Sequence, residues 1–376
     1  MKQVFLLLIT LPILLLPVAC SSKKEALGPM NPQAVPLWTG FAVNSDVHAL
    51  AFEGDSVWVG TEMGLLRYDL VQDRIVEKFT AGSGPLSNSI YCIVIDQEGS
   101  KWIGTLGGGL SRFDGKTWKT YTVPDIADPF VYDVLFDRKG NMWVATWSGL
   151  SVRRGETWQT YTVKDGLSDD WVYDLDMDSQ GNLWLGTEGG VSRFDGKTWT
   201  KFSHADGLGA SRETIGSYDK LYNPSVHHKT AEGKSAEGFN PNYVLSLLVD
   251  RKERLWFGTW GAGLSRFDGK SWKTFTTRDG LAGNFITDIY MDREGLLWVA
   301  TEGGVSIFDG HQWRRYTQRE GLLDDSVYTV TPDRSGHLWF GTISGISKLE
   351  GFAPLNPPRA SSVRSQDPPG GGRPSA

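Results

Sequence analysis

Across residues 172–202 apolar and polar side chains alternate in short runs broken by glycine. Val172-Tyr173-Asp174-Leu175-Asp176-Met177-Asp178 has the two-residue period of a strand. Ser179-Gln180-Gly181-Asn182 reads as a tight turn with glycine where positive φ is needed. Leu183-Trp184-Leu185-Gly186-Thr187 is a second strand, Glu188-Gly189-Gly190 a turn, and Val191-Ser192-Arg193-Phe194 a third strand. Asp195-Gly196-Lys197 suits a two-residue hairpin loop, and Thr198-Trp199-Thr200-Lys201-Phe202 follows as a fourth strand. We label the four A to D, from the inside of the fold outwards.

The unit is copied. Its strand B tryptophan recurs as Trp58, Trp102, Trp143, Trp184, Trp256, Trp298 and Trp339, at gaps of 44, 41, 41, 72, 42 and 41 residues. A period of roughly 40–45 residues is the length of a four-stranded propeller blade. Strand D tryptophans recur at Trp118, Trp158, Trp199, Trp272 and Trp313. Radially stacked sheets bury both faces and leave only short edges, so large aromatics are needed to fill the wedges between them. The expectation is an all-β, seven-bladed β-propeller of four-stranded antiparallel blades over residues 36–353. The last repeat has strands A to C but no D of its own. Pro36-Leu37-Trp38-Thr39-Gly40-Phe41 has the strand D pattern and is predicted to close the ring as an N-terminal strand.

The ends differ in composition. Residues 1–20 hold a short positive start, a 16-residue apolar run from Val4 to Ala19, and Val18-Ala19-Cys20. This layout resembles a bacterial lipoprotein signal peptide, in which Cys20 is lipid-modified; Pro17 stands where that pattern usually has leucine. Ordinary cleavage and secretion is the alternative. Residues 21–35 read as a polar linker. Residues 354–376, rich in proline and glycine, are expected to be disordered. The only other cysteine is Cys92, so no disulfide framework is available. A net charge of −6 with interspersed signs and no basic stripe argues against nucleic acid. The expected location is the periplasm or the outer membrane of a Gram-negative-type bacterium, held by a lipid anchor alone, as a monomer.

Residues 181–196, Gly-Asn-Leu-Trp-Leu-Gly-Thr-Glu-Gly-Gly-Val-Ser-Arg-Phe-Asp-Gly, and the Asp-Gly-Leu triplets at 165–167, 206–208 and 279–281 resemble the two-component regulator propeller repeat. The resemblance implies a periplasmic ligand-sensing propeller of the kind found in hybrid histidine kinases, often responding to glycan fragments. No kinase, receiver or immunoglobulin-like segment accompanies it in this sequence, so what carries over is a stand-alone binding propeller.

Columns shared by every blade are architecture, so binding residues are expected where blades differ. The residues opening strand A (Asn88, Asp170, Asn242, Asn284, Asp325) read as turn acceptors, as do the aspartates closing it (Asp96, Asp137, Asp178, Asp250, Asp292, Asp333). Two neighbouring columns vary, and they lie in the D–A loops and B–C turns of one propeller face. They place Phe130, Trp147, Trp171, Tyr243, Trp260 and Phe285 near the central mouth, with Glu188 and Glu302 among them. Aromatic platforms beside a few polar groups suit a concave ligand site, including a glycan; the alternative is that the rings plug the channel. The long gap places an insert at about 207–240, between blades 4 and 5 on the same face. It carries Tyr218, Tyr222, His227 and His228 and reads as a lid or a docking loop for an envelope protein. No catalytic residue, cofactor or metal is assigned. Adjacent histidines point apart in an extended chain, and no acidic or cysteine cluster accompanies them. Two alternatives to a ligand-binding sensor stay open: an envelope scaffold lipoprotein, and a lyase resembling the streptogramin-cleaving propellers.

Overall fold

The computed structural model describes residues 35–216 and 239–353. The signal segment with Cys20, the linker up to residue 34, the tail from 354, and Tyr218, Tyr222, His227 and His228 of the insert lie outside the described residues. Seven four-stranded antiparallel sheets are arranged as successive blades, each in the order A-B-C-D. The A strands are Val47–Glu53, Ile90–Ile95, Val131–Phe136, Val172–Met177, Val244–Val249, Ile286–Met291 and Val327–Pro332. No helix among the described residues is long and apolar enough to cross a membrane.

Each junction between blades has its own apolar core. The junction of blades 3 and 4, for example, packs Trp143, Leu150 and Val152 against Val172, Leu175 and Leu183. The junction of blades 7 and 1 packs Trp339 and Ile346 against Val47, Leu50 and Val59. Strand B is buried along its whole length, because it is internal to its sheet and covered on both faces. This explains the small residue in its Gly-Thr or Ala-Thr ending. A Cβ on Gly258 would stand 2.5 Å from Cγ2 of Ile286 in the next blade, so at this junction glycine lets the blades meet. The threonine that follows closes the B–C turn, as in Thr187 Oγ1 donating to the Gly190 carbonyl at 2.8 Å.

The strand B indole is held at its polar end. Asp178 accepts the Trp184 Nε1 proton at 3.0 Å, and the same bond joins Asp96 to Trp102, Asp137 to Trp143, Asp250 to Trp256, Asp292 to Trp298 and Asp333 to Trp339. The turn role read from sequence is present too: the other carboxylate oxygen of Asp178 accepts the Gln180 and Asn182 amides. The tryptophan bond was not anticipated. In blade 1 Glu53 takes the aspartate's place and accepts the Trp58 Nε1 proton at 3.0 Å, and that carboxylate also accepts from Lys101 Nζ of blade 2 at 2.6 Å.

Closure follows the sequence expectation. Val35–Ala42 pairs antiparallel with Gly345–Ala353 and completes blade 7. Trp38 takes the strand D tryptophan position, edge-on to Phe340 at 5.4 Å and to Tyr316 at 6.4 Å. It lies against Gly321, as Trp199 lies against Gly166 and Trp272 against Gly207. Trp38→Ala is expected to cost about 3 kcal/mol, and deleting residues 36–43 to cost more. Both should lower the midpoint of one cooperative transition followed by circular dichroism and tryptophan fluorescence together. A small early transition that leaves the main one in place would show the strand to be an appendage.

Candidate functional site

The A strands run inwards from one face and line a central channel. Their second residue forms the upper wall: His48, Tyr91, Tyr132, Tyr173, Leu245, Thr287 and Tyr328. The rings touch in sequence around the wall. His48 packs against Tyr91 and Tyr328 at 4.5 Å each, Tyr91 against Tyr132 at 5.4 Å, and Tyr132 against Tyr173 at 4.9 Å. Tyr243 donates from its hydroxyl to that of Tyr173 at 2.6 Å. His48 also bonds through Nε2 to Glu62 at 3.0 Å, and the bond holds the Glu62 carboxyl below its usual range.

Above this wall the variable loops form a mouth. Trp147 stacks in parallel on Phe130 (4.4 Å, 2°) and on Trp171 (4.4 Å, 10°), giving three rings in one pile. Tyr243 stacks on Trp260 at 5.1 Å, and Trp260 meets Phe285 edge-on at 4.1 Å. Mouth and channel enclose a cavity of about 730 Å³. Six of the eight residues expected at the mouth line it: Trp147, Trp171, Tyr243, Trp260, Phe285 and Glu302. Phe130 is not in the lining but backs Trp147. Glu188 lies beside the cavity, next to Asp169; burial and that neighbouring charge push its carboxyl up to about 7. Tyr243 and Phe285 are themselves buried and build the wall, while Trp147, Trp171 and Trp260 are half-buried at the cavity. Glu302 accepts the Asn284 and Phe285 amides at 3.2 and 3.1 Å and so fixes the adjoining loop; burial raises its pKa.

Both stems of the insert leave at this rim. Asn240 donates to the Glu188 carbonyl at 3.0 Å, His204 N donates to Asn242 at 2.5 Å, and Arg278 reaches the Glu213 carbonyl at 3.3 Å. The residues opening strand A are turn acceptors as expected: Asn88, Asp170, Asn242, Asn284 and Asp325 each accept the amide of a residue earlier in the preceding D–A loop. Among the described residues no group of three or more His, Cys, Asp or Glu side chains is gathered to hold a metal.

One part of the site was missed. The third residue of strand A is Ala49, Cys92, Asp133, Asp174, Ser246, Asp288 or Thr329, and all of these line the channel. A bulge at this point in each A–B ladder turns the three carboxylates toward the next blade. Asp133 accepts the Leu175 amide (3.1 Å), Asp174 the Leu247 amide (2.6 Å), and Asp288 the Val330 amide (2.8 Å) with the Thr329 hydroxyl (2.9 Å). Burial pushes all three carboxyls up, and the neighbouring Asp133 charge pushes Asp174 further. The signal was available: this column differs between blades, by the same criterion that marked the mouth.

With this geometry in view, the repeat can be matched to known proteins. The two-component regulator propeller model matches residues 125–148, 166–189, 238–261, 280–303 and 321–344. Each stretch runs from a D–A loop through strands A and B to the B–C turn, the part of a blade that builds channel and mouth. The chain carries two-component regulator propeller repeats in these five stretches. Its propeller is similar to the extracellular domain of the hybrid two-component system BT3049 from B. thetaiotaomicron, at 21% identity and TM-score 0.68, over 84% of this chain and 41% of that one. It is also similar to virginiamycin B lyase from Staphylococcus aureus (15%, TM-score 0.61, 83% of this chain and 98% of that one). A third relative in fold is PorZ, a surface component of the type-IX secretion system of Porphyromonas gingivalis (15%, TM-score 0.58, 84% and 48%). The chain spans less than half the length of the BT3049 domain and of PorZ. At these identities the likeness shows the propeller fold. No curated protein matches the sequence.

The raised Asp174 carboxyl makes ring stability pH-dependent. The native pKa of Asp174 is raised, so the native ring holds a proton that the unfolded chain releases above about pH 4. Stability from this group is complete at acidic pH and is lost as pH climbs from the unfolded value through the native one. Asp174→Asn keeps an acceptor for the Leu247 amide and a donor for Asp133. The melting temperature of this variant minus that of the wild type should therefore rise as pH climbs above about 4; a flat difference would show that no proton is held there.

Proposed function

We propose that the propeller is a non-catalytic, extracytoplasmic binding module of the sensor type, and that its mouth takes an oligosaccharide. The observation that carries this reading is the parallel pile of Phe130, Trp147 and Trp171 at the edge of the cavity. With Trp260 also lining the cavity, the pile gathers aromatic surface beside a few polar groups, the composition of a saccharide site. Support for sensing comes from the regulator propeller repeats and from the likeness in fold to an extracellular domain of a hybrid two-component system. Support for an envelope location comes from the lipoprotein-type start around Cys20. Histidine bases for lyase chemistry are not offered by the described mouth, since His48 is packed between two tyrosines and His204 bonds the Leu208 carbonyl.

A second reading, docking of an envelope protein on the same face, is favoured by Met63, Leu86, Val123, Val163 and Ile343. These large apolar residues are all exposed and all lie in mouth-side loops of blades 7 and 1 to 3.

Titration calorimetry against a panel of neutral and charged oligosaccharides is expected to find a ligand whose affinity drops by about tenfold or more in Trp147→Ala and Trp171→Ala, a loss of about 1.4 kcal/mol or more. Circular dichroism should show both variants folded. Unchanged affinity in both would remove the mouth as the site.

A further inference from the structure

Six of the seven blade junctions are sealed on the mouth side by one device. Each D–A loop drives an apolar side chain inwards: Pro85, Ile126, Leu167, Leu208, Leu281 and Leu322 are all buried, the last five in the core of their junction. In those five the amide that follows is caught by a strand C serine of the next blade. Ala127 N donates to Ser151 Oγ at 2.9 Å, Ser168 to Ser192, Gly209 to Ser265 and Ala282 to Ser306 at 2.8 Å, and Leu323 to Ser347 at 2.9 Å. Each of the four leucines follows an acid by two residues: Asp165, Asp206, Asp279 and Glu320.

The junction of blades 7 and 1 lacks this plug. Its D–A link is only residues 43–46, where others run 80–89, 122–130, 162–171, 276–285 and 317–326. Leu66 stands in the serine position of strand C, and strand D of blade 1, Arg74–Phe79, has no tryptophan. The core beneath is intact, but above it lies a cavity of about 210 Å³. Val43, Met63 and Leu66 give it apolar walls, and Ser45 and Lys78 polar ones. The Ser45 hydroxyl is buried and has no hydrogen-bond partner among the described residues. Lys78 makes no ion pair among the described residues, and Glu77 beside it is taken by Arg67 at 3.3 Å. Exposed apolar residues gather around the same junction: Met63 (57%), Ile75 (48%) and Val71 (75%) on blade 1, and Leu37 (49%) on the closing strand. Apolar surface concentrated on one blade of a copied ring marks an interaction site.

We propose that this notch docks another protein, through a loop or chain end that carries a leucine two residues after an acidic side chain. The leucine fills the cavity over Leu66 and Met63, as Leu167 fills the junction of blades 3 and 4, and the carboxylate meets the Lys78 ammonium. The copied plugs show what covers such a junction, and the lone cation fixes the sign of the charge that comes with it. The chain's own ends leave elsewhere, since Val35 and Ala353 are paired at the end of the closing strand remote from Val43. The assignment rests on the docking reading and narrows it to one junction. It does not depend on what the mouth binds, because notch and axial cavity share no lining residue.

The probe is a copied plug: a peptide of residues 203–210, Ser-His-Ala-Asp-Gly-Leu-Gly-Ala, with both ends blocked, titrated into the full chain labelled at its methionine methyl groups. The Met63 signal, assigned by its loss in Met63→Leu, is the NMR reporter. It is expected to shift saturably, and the Leu208→Ala peptide to bind about tenfold or more weakly, the cost of withholding a leucine side chain from an apolar site. Lys78→Glu, at an exposed position, should weaken the parent peptide several-fold and leave the Asp206→Asn peptide little changed. A Met63 signal that no peptide moves, or that the alanine peptide moves equally well, overturns the notch and leaves the docking reading to Leu86, Val123 and Val163. Two further results overturn it. Met63 shielded from a soluble paramagnetic agent before any peptide is added shows this chain's own residues in the notch. A concentration-dependent dimer that is lost in Met63→Asp gives the notch to a second copy.

Discussion

The ring depends on a flat indole wedged between blades with its one polar atom satisfied. Trp58, Trp256 and Trp298 are at most 1% exposed, and a buried N–H without an acceptor would forfeit much of what burying the ring gains. The aspartate six residues earlier provides the acceptor while its other oxygen shapes the A–B turn. One side chain thereby sets turn, strand register and wedge together. The spacing of aspartate to tryptophan cannot drift without loosening all three, and for that reason it is copied in every blade but the first. There Glu53 does the same work with a longer arm and draws in Lys101.

The same logic explains the small residues. Neighbouring blades meet where Val or Ile of one A strand faces the Gly or Ala near the end of the preceding B strand. The wedge keeps the blades apart at the periphery, and the glycine lets them close at the centre. Seven such junctions form a circle only if the last is made of the same parts. The N-terminal strand therefore supplies Trp38 to the position that Trp199 and Trp272 hold elsewhere, down to the glycine that abuts it.

How much was legible follows from this division. Strand order, blade number and closure could be read because each is enforced by residues repeated at fixed spacing, so that the chain carries several copies of the same evidence. The opening residues of strand A were read correctly as turn acceptors for the same reason. The mouth was legible as a region but not residue by residue. Sequence places Phe130 and Trp147 in equivalent variable columns, and nothing in it tells that one backs the other. Nor does it tell that Tyr243 and Phe285 are buried, because burial there depends on which neighbouring ring lies across the loop. The channel aspartates escaped notice because Tyr173-Asp174-Leu175-Asp176 looks like plain alternation. A polar residue in such a pattern is expected to face solvent, and the bulge at Val172 turns it to the axis instead.

Those aspartates are hard to explain as scaffold. If the ring needed a carboxylate to take the free amide beside each bulge, every blade would carry one. Blades 1, 2, 5 and 7 have Ala49, Cys92, Ser246 and Thr329 in the same column, and their junctions carry buried apolar cores all the same. Three carboxyls facing one channel also work against folding as pH rises, since burial disfavours their charged forms and the Asp133 charge opposes the ionisation of Asp174. A fold built from copied parts has thus kept an uncopied and destabilising cluster at its axis, under the mouth where the uncopied aromatics gather. A costly residue in an uncopied column, beneath an uncopied mouth, is the mark of one retained for what it meets. Here the carboxyls and the indoles open onto the same space.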